Sequence, residues 1–131
     1  MTKIFLFVSL LIFFNSINSL KAQITAELIK KELTGKEWEI VQYETFGTTE
    51  DPSPEQLNDK IILNADMTFL IMENGTTYQG KWSVQSPYIF CKLDANNWTR
   101  TYKAMSIENQ KSIIEYKDAD LTKTLYYLAS H

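Results

Sequence analysis

The sequence predicts an all-β domain, an eight-stranded antiparallel up-and-down barrel preceded by a short N-terminal helix. Three observations lead there. Beyond residue 36, hydrophobic residues recur with period two, the signature of half-buried strands. Clusters of Asn, Asp, Gly, Pro and Ser break these runs at short intervals, so successive strands are joined as hairpins. Aromatic residues make up 13% of the 131-residue chain while Gly and Pro number 4 and 3, which suits strands with well-filled interiors. A meander of this kind removes its exposed edges by closing on itself.

The chain opens with Lys3, an eleven-residue stretch over 4–14 that is apolar but for Ser9, and a polar segment ending Lys21-Ala22-Gln23. This three-part pattern predicts a secretory signal peptide over 1–22, hence a secreted or periplasmic protein whose remaining residues, 23–131, form one domain. Eleven residues are too few to cross a bilayer, which takes about 20, and no later stretch is long enough. Those 22 residues hold two lysines and no acid, so the 13 basic side chains fall to 11 against 16 acidic ones. An acidic exported domain with no Lys/Arg cluster is ill suited to nucleic acid or to an anionic membrane. Cys91 has no second cysteine to bond, so stability must come from packing.

Residues 24–35 predict the helix. Thr25 serves as its N-cap, Ile24 and Ile29 take hydrophobic-staple positions, Leu28 and Leu33 form the buried stripe, and Gly35 ends it. Strand one follows over 36–43, with Trp38 and Ile40 inward and Glu37 and Glu39 outward. Residues 46–59 form the longest irregular connection: Gly47, Pro52, Pro54, four acids and no base, with one helical turn starting at Pro54. The remaining strands are expected over 60–63, 67–72, 76–84, 88–93, 98–107, 112–116 and 122–128. Asn74-Gly75 is the strongest hairpin signal, because both residues tolerate positive φ. On one face of the 76–84 strand stand Tyr78, Gly80, Trp82 and Val84.

Short motifs in this order have a familiar look. Leu33-Thr34-Gly35-Lys36-Glu37-Trp38, the stretch 60–69 (KIILNADMTF) and Tyr78-Gln79-Gly80-Lys81-Trp82-Ser83 resemble the first strand, second hairpin and fourth strand of the lipocalin-like domain family of secreted, Bacteroidetes-type bacterial proteins. Met67 stands where that family usually has a turn glycine. The last strand lacks the arginine that in many lipocalins packs on the first tryptophan, leaving Lys123 as the nearest base. The resemblance implies a binding barrel, not catalysis.

The chemistry-bearing residues agree with a non-enzyme without metal or cofactor. The one histidine, His131, is terminal, and Cys91 alternates with Ile89 and Leu93 as a buried thiol would. Asp118-x-Asp120 reads as an acidic turn, since Leu121 and Thr122 do not continue a calcium loop. Trp38, Phe69 and Trp82 point into the barrel, where they either fill it or line an apolar pocket. Arg100 and Tyr102, two apart on a strand, share a face and are the candidate polar anchor for a carboxylate or similar anion, as an Arg-x-Tyr pair is in the related fatty-acid-binding barrels. The 46–59 loop is the natural lid. The expected function is therefore binding of a small hydrophobic or amphipathic ligand through Trp38, Phe69, Trp82, Arg100 and Tyr102. The alternative is a solid scaffold whose outer surface binds or inhibits another protein.

Overall fold

The computed structural model describes residues 23–131 other than Asn97. The signal-peptide expectation for 1–22 lies outside the described residues. Among them, one helix, α1 (Ala26–Leu33), precedes nine strands: β1 (Glu37–Thr45), β2 (Thr48–Glu50), β3 (Lys60–Leu63), β4 (Thr68–Glu73), β5 (Thr76–Gln85), β6 (Tyr88–Leu93), β7 (Thr99–Ile107), β8 (Lys111–Lys117) and β9 (Lys123–Ala129). Eight of them close into an antiparallel barrel in the order β1-β3-β4-β5-β6-β7-β8-β9, with β9 returning to pair with β1. The eight-stranded up-and-down barrel is thus observed. The ninth strand, β2, was not expected. It folds back on the end of β1 through a Phe46-Gly47 turn, because both turn residues take positive φ and so match the twist of a tight hairpin.

The helix forms as its caps dictate. Thr25 Oγ1 accepts the Leu28 amide at 3.1 Å, and Gly35 takes φ +72° just past the last turn. Its buried stripe is Ile29 and Leu33, not Leu28 and Leu33; residues four apart lie on one face, and Leu28 is only partly covered. That stripe stoppers one end of the barrel. The Leu33 carbonyl accepts the Trp38 indole N–H at 2.9 Å, and Ser86 in the β5–β6 turn donates to the Ile24 carbonyl at 2.5 Å. Lys36 holds the β7–β8 turn through the Asn109 carbonyl at 2.6 Å. Its ammonium also lies 5.5 Å from the centre of the Trp38 ring. The cation on the first tryptophan therefore comes from Lys36. Lys123 starts β9 at the opposite end of the barrel and cannot reach it.

Alternation puts Trp38, Ile40, Ile61, Leu63, Phe69, Ile71, Trp82, Ile89, Cys91, Leu93, Tyr102, Ala104, Ile114, Tyr126 and Leu128 into one buried core. Each buried indole N–H finds an acceptor: that of Trp82 donates to the Asn64 carbonyl at 2.9 Å. Two bulges break the alternation, one at Val41 in β1 and one at Met105 in β7. A bulge shifts the facing of every later residue by one. Hence Tyr43 and Thr45 turn inward where strict alternation from Trp38 would have placed Gln42 and Glu44.

Gly80 shows how tightly the wall is packed. A Cβ there would overlap the Lys92 carbonyl and lie 2.9 Å from Phe69 Cε1. Gly80→Ala is expected to lower the free energy of urea unfolding by at least about 2 kcal/mol, since the clash is with backbone that cannot give way. Gly75→Ala, with open space but positive φ, is expected to lose only about 1 kcal/mol.

Candidate functional site

The end of the barrel opposite α1 is built differently. There the inward positions carry Tyr43, Thr45, Asp59, Glu73, Tyr78, Arg100, Tyr102, Tyr116, Thr124 and Tyr126, so the apolar core gives way to a layer of phenols around a single guanidinium. Arg100 is 7% exposed and its Nη1 is paired with the Glu73 carboxylate. The same nitrogen lies 3.3 Å from the Tyr102 hydroxyl. Three rings enclose the guanidinium, with centres 4.7 Å (Tyr116), 5.1 Å (Trp98) and 5.6 Å (Tyr78) away. Stacking on aromatic faces suits a weakly hydrated, delocalised cation. The buried Arg100 Nε–H has no hydrogen-bond acceptor among the described residues.

Around this centre the tyrosines touch one another. Tyr126 meets Tyr43 edge-on at 5.5 Å and stacks on Tyr116 at 6.4 Å, and Tyr102 lies 5.8 Å from Tyr116. Burial raises the proton affinity of the Tyr102 phenol against the opposing pull of Arg100. Burial likewise raises Tyr126, with Glu73 adding to it, and Tyr43, with its hydrogen bond to Asp59 adding to it. All three phenols are neutral at ordinary pH; Tyr43 donates to Asp59, and the Tyr102 oxygen accepts from Arg100.

Asp59 closes the mouth. It is 3% exposed; its Oδ2 accepts the Tyr43 hydroxyl at 2.6 Å and its Oδ1 accepts the Asn74 amide at 2.8 Å. One side chain thereby ties the end of the 46–59 loop to β1 and to the β4–β5 turn. The predicted helical turn at Pro54 is present as a 3-10 turn, Pro54–Gln56. Between loop and barrel a cavity of about 240 Å³ opens, lined by Tyr43, Thr45, Glu50, Gln56, Asp59, Glu73, Asn74, Thr124 and Tyr126. Its lining includes three carboxylates and no Lys or Arg.

The five residues singled out from the sequence fall into two groups. Trp38, Phe69 and Trp82 fill the half of the barrel nearer the helix, each at most 2% exposed, and none lines the mouth cavity. Arg100 and Tyr102 do share an inward face and do lie side by side, but the carboxylate on the guanidinium belongs to the protein's own Glu73. Tyr43 and Tyr126 were missed, the first because the Val41 bulge is invisible in residue type. Asp59 was counted among loop acids, although its position two residues before inward Ile61 was the signal for an inward side chain. Cys91 is buried, and burial pushes its thiol up to about 12. Asp118 spends its carboxylate on the Asp120 and Thr122 amides, both at 2.9 Å, as an acidic turn does. Glu37 pairs with Lys60 on the outer face, and His131 lies exposed 3.4 Å from Glu39. No helix of the described residues is long and apolar enough to cross a membrane. Comparison with protein-family models, curated proteins and solved structures finds no match to this chain.

Glu73→Gln leaves a buried cation without its counter-charge and is expected to cost about 2–3 kcal/mol in urea unfolding. The double variant Arg100→Met with Glu73→Met is expected to lie within about 1 kcal/mol of the wild type, because the pair and its desolvation cost disappear together. The Cys91, Tyr43, Tyr102 and Tyr126 protons are all held more tightly folded than unfolded. Their contribution to stability is complete below the unfolded values and is lost as pH rises through them. Unfolding free energy measured from pH 7 upward should therefore fall once the pH passes about 9.

Proposed function

We propose that this is an exported, lipocalin-like binding protein that takes a small amphipathic ligand in the cup at the mouth of the barrel, not along its axis. One observation carries the reading: the helix end is stoppered and filled by Trp38, Phe69 and Trp82, while the far end holds a cavity with tyrosine walls and a polar floor. At about 240 Å³ the cup is smaller than the cavities that hold drug-sized ligands, roughly 300–1,000 Å³. It suits a head group with a short apolar stem. Glu50, Asp59 and Glu73 favour a neutral or cationic head, and a ligand carboxylate would have to displace Glu73 from Arg100. Arg100 and Tyr102 do not line the cup; they hold Glu73 and the tyrosine layer in place behind it. The 46–59 loop supplies the rim through Glu50 and Gln56.

The test is an NMR titration of the exported protein with hexylamine, hexanol and hexanoate. The amine and the alcohol should shift the Thr45, Asn74 and Thr124 amides with dissociation constants on the order of 0.1 mM, and hexanoate should bind at least tenfold more weakly. If no mouth amide moves up to about 10 mM of any of the three, the binding role fails.

A further inference from the structure

The wall of the cup has a second face. Tyr43 and Thr45 stand opposite Tyr126 and Thr124 in the β1–β9 pair, and all four line the cup. Between them Glu44 pairs with Leu125, and these two line a groove of about 580 Å³ on the outer side. Cup and groove are therefore the two faces of one pair of strands. The pairing ends at Thr45 and Thr124, whose hydroxyls lie 3.3 Å apart, and this pair is the lip between cup and groove.

Two apolar side chains stand beyond that lip. Phe46 follows Thr45 directly and Leu121 closely precedes Thr124; they are 87% and 73% exposed, and both line the groove. Both also hold positive φ, +54° and +63°, a conformation that disfavours bulky side chains and suits Asn or Gly. Each turn is fixed without the side chain: Gly47 follows Phe46, and Asp118 accepts the amides on either side of Leu121. The fold needs neither apolar group. Leu125 and Met105 continue the apolar lining, Met105 lying toward the end of β7 that is away from the mouth. The charged residues of the groove present no single sign. Glu44 is engaged by the Tyr127 hydroxyl at 3.0 Å, and Glu115 and Asp120 share the lining with Lys123.

We infer that the ligand is a long-chain amphiphile, with its polar head in the cup and its alkyl tail carried over the Thr45–Thr124 lip into this groove. The inference rests on the cup reading and adds the part of the ligand that the cup cannot hold. A cavity of about 240 Å³ admits a head and a short stem, so a longer chain has to leave it. Across this lip the exit is flanked by exposed hydrocarbon on both strands. Phe46 and Leu121 there cover methylenes that water would otherwise surround. A lining of mixed charge accepts a neutral chain and gives a charged tail no anchor.

The test compares hexylamine with decylamine by NMR titration of the exported protein. Decylamine should bind about tenfold more tightly, the gain expected from covering roughly half of its four added methylenes. Both amines should shift the Thr45 and Asn74 amides, and decylamine should shift those of Leu121, Leu125 and Met105 as well. Phe46→Asn with Leu121→Asn should leave hexylamine binding within about twofold and cut the decylamine advantage to below about threefold. Asn suits both backbone positions, so the fold is kept. Met105→Gln, farther along the groove, should lower the advantage by itself. A wild type that binds both amines equally overturns the tail inference and leaves the cup reading standing. So does a decylamine advantage that survives both variants. A protein that binds neither amine overturns the two together.

Discussion

Pairing between the first and last strands holds the whole architecture in place. Glu39 to Thr45 lie along Ala129 to Thr124, and this contact converts a meandering ribbon into a tube with an inside. Without it, β1 and β9 would each expose a row of unpaired amides and carbonyls, and the inward residues would face water on an open sheet. The contact joins residues 79 to 90 positions apart, so chain entropy opposes it until the intervening hairpins have formed. The local turns at Asn74-Gly75 and Phe46-Gly47 reduce that search by fixing register early.

Once the tube closes, its interior divides along the axis. Nearer the helix, two tryptophans, a phenylalanine and aliphatic side chains fill the space, each indole N–H satisfied by a backbone carbonyl. Toward the mouth the same alternation delivers tyrosines, an arginine and carboxylates. The two halves depend on one another. A buried guanidinium is tolerable only with a counter-charge and stacked rings, and those rings are held by the walls that the apolar half keeps in register. The cup is thus the upper surface of a filled barrel, and its chemistry is set by what Arg100 requires around it.

Much of the architecture was legible in residue order. Alternation located the eight barrel strands, and Thr25 and Gly35 marked the helix; Met67, expected to open the 67–72 strand, instead takes φ +69° in the turn before β4. The inward facing of Trp38, Phe69, Trp82, Arg100 and Tyr102 followed from period two alone. What alternation cannot show is where it is interrupted. The Val41 bulge reverses the facing of Tyr43 and Thr45, and no residue type announces it. Short β2 was hidden because Thr48–Glu50 is exposed throughout, leaving no hydrophobic period to read. The partner of Arg100 was equally hidden: Glu73 sits 27 positions away on β4, with β5 and β6 between it and β7 in the sheet.

Asp59 gives the long connection a particular mechanical character. Its carboxylate is stapled to Tyr43 on one side and to the Asn74 amide on the other, while the Ile40 amide donates to its carbonyl at 3.2 Å. The downstream end of the 46–59 segment is therefore anchored to the barrel at three points, and the Asp59 amide donates to the Gln56 carbonyl at 3.0 Å. A protease nick within 51–55 would leave one stump on β2 and the other clamped at Asp59, with the tube intact. The same anchoring makes 51–55 the part of the rim whose length and composition can drift between descendants, since the cavity is lined by Glu50 and Gln56 on either side of it.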